Sequence, residues 1–359
     1  MTGFYLYSSN RLDVLLTKLA EILAHSPSHP LISESMVIPN MAIRQYLSLG
    51  LAERLGISAN FNYFFSQQWI QFLCQLKNPK IPDQWNERKE LLWALLKILP
   101  EYTKHPEFRS LFLPLKRSAE ATFEDLKLLQ LCERIAVVFE RYAIFRPEMV
   151  LRWEQTTEND TTEDRWQCIL WRHLYQQGSI SHLGQIHQKL RKMDLENLPH
   201  RVFVFGFSQM ALSYLDIFRR LSQKTDLHFF TLNPCSTYWF DIETKQDIHR
   251  HQDQILQKKA SFEGDLHYEE GHPLLASWGK PGRDFFSVLH EFEFTEEWSQ
   301  QSLPQEQTIL AQIQREILSL KTTPESAIAL NPLDTSIRIH ACPNELREVE
   351  VLYHQLLWM

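Results

Sequence analysis

The chain has 359 residues, a net charge of −7 and only ten glycines, well under the roughly 7% of an ordinary globular chain. Loops that wrap phosphates use glycine for close backbone approach, and none of the ten completes a GxGxxG or GxxxxGK[ST] pattern, so a nucleotide-driven motor of the usual kind is excluded. The acidic balance leaves no overall basic footprint, so any nucleic-acid surface must be a local lining.

In chain order, Phe4 to Tyr7 is a short aromatic strand, and Ser8-Ser9-Asn10 supplies helix-capping types. Leu12, Leu15, Leu16, Leu19, Ile22 and Leu23 then recur at helical spacing. Met36 to Ile38 is a second strand closed by Pro39-Asn40, and Ile43, Leu47 and Leu51 begin a helix that Gly56 ends. From Ser66 to His200 the pattern is helical throughout, with segments at Trp69 to Leu76, Glu87 to Leu99, Thr122 to Phe145, Trp166 to Tyr175 and His182 to Lys192. The long one stops at Arg146-Pro147, because a residue before proline is pushed out of the α region.

At Arg201 the α/β signal returns. Val202 to Phe205 and Leu227 to Leu232 are continuous apolar runs, as expected of parallel strands covered on both faces, with a helix from Met210 to Leu221 between them. Thr237 to Lys321 is polar and irregular, with helices near Asp284 to Glu293 and Gln305 to Leu320. Ser336 to Ala341 is expected to be another strand, followed by a helix from Glu345 to Trp358. That helix stops without a terminator, which suggests the N-terminal fragment of something longer. The fold class is therefore α/β, a parallel sheet with a large all-helical insert.

Three places could carry chemistry. The first strand-to-helix loop, Tyr7 to Asp13, lacks glycine and lysine, and Asp13 would repel a phosphate. The second, Phe205-Gly206-Phe207-Ser208, has no carboxylate for magnesium at the strand end. Asp241, Glu243, Asp247, His249, His251 and Asp253 form the one dense acid and histidine cluster, in a segment expected to loop over the surface. An autonomous metal-dependent nuclease using Asp241, Glu243, Asp247 and His249 is the rival to any non-catalytic reading, and a truncated remnant without function is a third. Arg134, Arg141, Arg146 and Arg152 accompany Tyr142, Phe145 and Trp153, a chemistry that grips phosphates and stacks bases, although interleaved acids also fit a salt-bridged helix face. The five scattered cysteines contain no CxxC pair, so neither a disulfide framework nor a zinc site follows; with no signal-peptide pattern the chain reads as cytoplasmic, with no membrane contact.

Several segments closely resemble the RecC family, the gamma subunit of exodeoxyribonuclease V (RecBCD). They are Ser9 to Leu15, Gly56 to Asn60, Phe139 to Pro147, Asn233-Pro-Cys235 with Tyr238-Trp239, Gly271 to Asp284, and Asn331 to Ser336 through Arg347 to Val351. The Pro-Leu-Leu-Ala-Ser-Trp-Gly-Lys run at 273–280 is the most specific. The resemblance covers only the N-terminal part of that longer family. It implies a degenerate superfamily 1 helicase-like fold, with residues 1–65 and 201–335 as a discontinuous 1A-like domain, 66–200 as a helical 1B-like insert, and 336–359 opening a further α/β domain. It also implies a subunit without activity of its own, working with RecB-like and RecD-like subunits that use ATP and magnesium, with no cofactor in this chain. Its ligands would be duplex DNA ends and the single strand scanned for Chi, in double-strand break repair.

By the same resemblance Gln45, Phe65, Glu140 and Arg146 line the Chi channel, with Phe65 at an aliphatic position and Glu140 where aspartate is usual. Pro39, Met41, Gln71 and Val137 stand where the family has Gln, Thr, Trp and Asp, so the chain is expected to read a different DNA word or none.

Overall fold

The computed structural model describes residues 2–25, 31–77, 87–112, 121–155, 165–176, 182–192, 197–258, 269–321 and 331–358. They group into two compact units, one of Met1–Tyr7, Leu16–Thr231 and Val288–Trp298, the other of Ser8–Leu15, Leu232–Ser287 and Ser299–Met359.

β1 (Phe4–Ser9) is followed by α1 (Leu12–Ala24), β2 (Glu34–Val37), α2 (Met41–Leu55), β3 (Phe61–Phe64) and α3 (Ser66–Lys77). Helices then succeed one another: α4 (Glu87–Ile98), a single-turn α5 (Arg109–Phe112), α6 (Ala121–Phe145), α7 (Pro147–Gln155), α8 (Arg165–Gln176) and α9 (Leu183–Lys192). β4 (Arg201–Phe205), α10 (Leu212–Leu221) and β5 (Asp226–Leu232) restore the α/β alternation. After them come β6 (Ile242–Glu243), α11 (Lys245–Lys258), β7 (Glu269–Glu270), α12 (Pro273–Trp278), α13 (Lys280–Leu289), β8 (Glu296–Gln300), α14 (Ile309–Leu318) and α15 (Glu345–Leu357).

Six strands form one sheet in the order β3-β2-β4-β5-β1-β8. β2 pairs in parallel with β3 and β4, and β4 with β5, Val202 opposite Leu227. The two apolar runs read as neighbouring parallel strands are neighbours. Alternation along parallel strands sends every second side chain to one face. On one face Tyr5, His228 and Phe203 stack at 4.9 and 5.0 Å, and Tyr7 stacks on Phe230 at 4.5 Å with Phe205 tilted against it at 5.6 Å. The other face carries Phe4 against Phe229 at 5.9 Å, with Phe218 of α10 behind it.

The connections β1 to β2 and β2 to β3 run one way across the sheet, and β4 to β5 runs the other. Right-handed crossovers therefore put α1 and α2 on one face and α10 on the opposite one. The contacts agree: Arg201 on the ladder face donates to Ile22 O of α1 at 3.3 Å, whereas α10 packs with α6 and α9. The reversal between β2 and β4 is a topological switch point, where open α/β sheets form a crevice.

The helical block is built around aromatic side chains. Trp171 meets Phe139 at 5.2 Å, Tyr175 at 4.4 Å and His182 at 5.0 Å. α6 ends at Phe145 as the proline requires, and Pro147 opens α7, since a first-turn residue needs no N–H.

Two expectations are corrected. Residues 336–341 form no strand, because a strand needs a ladder and no described residues pair with them. The acid and histidine segment is no surface loop: Asp241 and Glu243 lie at and in β6, and Asp247, His249, His251 and Asp253 in the helix α11, opened by Thr244, whose hydroxyl accepts the Asp247 N–H at 3.2 Å and donates to the Asp247 carboxylate. β3 and β8 went unforeseen, being short and largely unburied.

Candidate nucleic-acid interface

At the C-terminal edge of the sheet, β2 is followed by Ile38-Pro39-Asn40, whose Asn40 caps α2 by accepting the Ile43 N–H at 3.0 Å. β4 ends at Gly206, which has φ 79° and donates its N–H to Phe230 O. Ile43 fills the crevice between the two strands, so close that a Cβ on Gly206 would stand 3.4 Å from its Cδ1. Glycine is favoured here by its positive φ, since a Cβ would meet Ile43 only at ordinary contact distance. The strand end is apolar, Phe207 being buried with its carbonyl accepting from Thr231 Oγ1 at 3.0 Å.

Three of the four expected channel residues belong to this edge. Gln45 is exposed on the second turn of α2, and Phe65 follows β3 directly, half-buried, with its N–H donated to Gln68 Oε1. Arg146 is exposed just past α6, and Ser213 at the start of α10 donates its hydroxyl to Ile144 O at 2.7 Å, which ties this helix end to the loop leaving β4. No side-chain partner engages Gln45 or Arg146 among the described residues. Glu140 is drawn away: it stands six residues earlier on α6, about 9 Å along the axis, and is held by Arg88 at 2.5 Å.

Large apolar side chains complete the edge, Met41 and Phe145 having been named from the sequence and Leu212 not. Met41, Phe145 and Leu212 are large apolar side chains 57%, 64% and 60% exposed. Pro39 and Val137 are half-buried, and Gln71 is buried in α3. Of the arginine and aromatic group, Trp153 and Tyr142 turn inward and meet at 5.9 Å, and Glu154 accepts from Trp171 Nε1 and Gln185 Nε2 while bonding His182. Those hydrogen bonds hold the Glu154 carboxyl below its usual range against the opposing effect of burial. Arg134, Arg141, Phe145, Arg146 and Arg152 are left outward.

The first strand-to-helix loop is closed by its own bonds. Asn10 Nδ2 donates to Ser302 O at 2.8 Å, the Arg11 N–H goes to Ser9 Oγ, and Arg11 clamps Asp13 at 2.7 Å. In the second unit Glu243 pairs with Arg283 at 2.9 Å and Asp247 with Lys280 at 2.6 Å. Lys280 and the Thr244 hydroxyl together hold the Asp247 carboxyl down, to about 2. Among the described residues no three His, Cys, Asp or Glu side chains are grouped to hold a metal ion. Four of the five free cysteines are buried, and burial pushes the Cys235 thiol up to about 12. No helix among the described residues is long and apolar enough to cross a membrane.

Fold and edge together define an α/β protein on a parallel sheet, with a helical block between β3 and β4 and a switch-point edge of amide, guanidinium and apolar groups, with no carboxylate in the Phe205-Gly206-Phe207-Ser208 end of β4. Residues 4–320 match the RecC N-terminal domain family, and the chain belongs to it. It is similar to the RecBCD enzyme subunit RecC of Haemophilus influenzae, 30% identical over 99% of this chain and 36% of that protein. Its counterpart in Escherichia coli is 29% identical over 98% and 35%, and that of Mycolicibacterium smegmatis 25% over 99% and 31%. The chain thus spans about a third of the length of these relatives.

Proposed function

We propose that this chain is the DNA-guiding and scaffolding part of a RecBCD-type helicase and nuclease, a frame of superfamily 1 helicase type that has no nucleotide machinery of its own. In this reading residues 1–65 and 201–335 are the 1A-like domain, 66–200 the 1B-like insert, and 336–359 the opening of a further domain. RecB-like and RecD-like subunits hydrolyse ATP with magnesium in the cytoplasm, and this chain guides the separated single strand for break repair by recombination.

The observation that carries the reading is the switch-point edge. Where a nucleotide hydrolase would place its magnesium-binding acid, at the end of β4, Ile43 packs on Gly206, and the surface offers Gln45, Arg146, Phe145 and Met41. Guanidinium, amide and aromatic groups suit phosphates, base edges and base faces of an unpaired strand. Met41 and Pro39 bring no hydrogen-bonding side chain for base edges, so scanning for a Chi-like word here relies on fewer edge contacts.

The purified chain is expected to show neither ATPase nor nuclease activity with magnesium; robust ATP hydrolysis, or metal-dependent cleavage lost on Asp247→Ala, would refute the reading. Assembled with RecB-like and RecD-like subunits, Arg146→Ala should weaken single-strand engagement by roughly 1 to 3 kcal/mol without altering the ATPase of the partners.

A further inference from the structure

The acid and histidine segment leaves a feature that the channel does not use. In the second unit a cavity of about 490 Å³ is lined by Thr244, Lys245, Asp247, Arg250, Ser277 and Lys280. With Glu270 at its rim it holds three cations against two carboxylates, a locally positive place in a chain of net charge −7. Asp247 is already engaged by Lys280 at 2.6 Å, by the Thr244 hydroxyl and by Arg250 at 3.6 Å. It therefore converges the two cations and has little left for a metal. Lys280 keeps N–H donors to spare, Arg250 is 73% exposed, and exposed Lys245 has no side-chain partner among the described residues. The Lys245 and Gln246 amides, in the first turn of the 14-residue α11, have no acceptor among the described residues either. Between Ser277 and Lys280, Trp278 is 80% exposed.

We propose that this cavity binds the phosphodiester backbone of a single DNA strand, with Trp278 stacking on a neighbouring base. The assignment rests on the DNA-guiding reading above and adds a second contact in the other unit. Cations that keep free donors, open helix amides and the Ser277 hydroxyl match a phosphate group. The exposed indole favours a ligand that carries bases over a free anion, since stacking on a ring is open to every base.

The test uses the full chain and a fluorescent oligo(dT) at about 50 mM salt, read by anisotropy. Lys245→Glu with Arg250→Glu, both exposed and so compatible with the fold, should lower affinity at least about tenfold. The slope of log affinity against log salt should fall by about 1.4, two phosphates at roughly 0.7 each. Trp278→Ala should lower affinity about fivefold or more and remove part of the tryptophan quenching. If the double variant keeps the native affinity and slope while Arg146→Glu weakens binding, the cavity proposal falls and the DNA-guiding reading stands. If the native chain binds no oligonucleotide, both fall. If tripolyphosphate competes as well as oligo(dT) and Trp278→Ala is neutral, the site takes free anions and the strand assignment is overturned.

Discussion

Removing the charge of Glu34 should be the most damaging conservative change in the sheet. Arg201 of β4 is 7% exposed, and Glu34 of β2 accepts from its Nε at 3.0 and 3.1 Å and from Nη2 at 2.5 Å. The same guanidinium donates to Ile22 O and lies over the Phe203 ring at 5.1 Å. Glu34→Gln preserves shape but leaves a buried cation without a counter-charge. Such breakage costs roughly 3 to 5 kcal/mol. The glutamate side chain is 17% exposed and a glutamine oxygen still accepts one bond, so the lower end, about 3 kcal/mol, is expected. That is a large share of a stability of about 5 to 15 kcal/mol. Replacing both partners, Glu34→Leu with Arg201→Met, removes the stranded charge and should cost less than the single change. Urea unfolding followed by circular dichroism gives both values. A Glu34→Gln variant within about 1 kcal/mol of native, or a double variant worse than the single, would refute the argument.

His228 is buried in the aromatic ladder with Nδ1 3.1 Å from Tyr7 Oη, and burial brings its imidazole down to about 4. The unfolded chain therefore takes up the proton first as pH falls: the stabilisation is complete above about pH 6.5 and is lost progressively toward pH 4, by up to about 3 kcal/mol. His228→Phe should flatten the stability profile over that window by close to one proton, and an unchanged slope would count against it. Gly206→Ala, at φ 79° and with its Cβ at an ordinary 3.4 Å from Ile43, and Gly56→Ala, at φ 78° with nothing within 4 Å, should each destabilise by roughly 1 to 2 kcal/mol, from positive φ alone. Thermal melts of the pair decide this, and a clearly larger loss at Gly206 would refute it.

The strands that sequence showed clearly were those whose side chains are buried on both faces, such as Val202 to Phe205, because continuous apolarity has few other readings. β8, with Glu296-Glu297-Trp298-Ser299-Gln300, looks polar because it is an edge strand. The Thr244 and Asp247 pair was a readable helix start that the density of acids and histidines obscured. In the site, Gln45, Phe65 and Arg146 were named through family spelling, but no spacing joins positions 45, 65 and 146.

By itself the sequence determined the α/β class, the helical insert, the break at Pro147 and the lack of a glycine-rich phosphate loop, because these follow from local periodicity and the backbone limits of single residues. Only the tertiary structure decided that β2 and β4 are parallel neighbours whose connections leave in opposite directions, that Ile43 packs on Gly206 beside them, that Phe145 and Leu212 face outward while Trp153 turns inward, and that Asp247 is spent on cations. Those outcomes depend on which strands pair and which helix faces meet, and strand order and long-range contacts are set by packing between segments far apart in the chain.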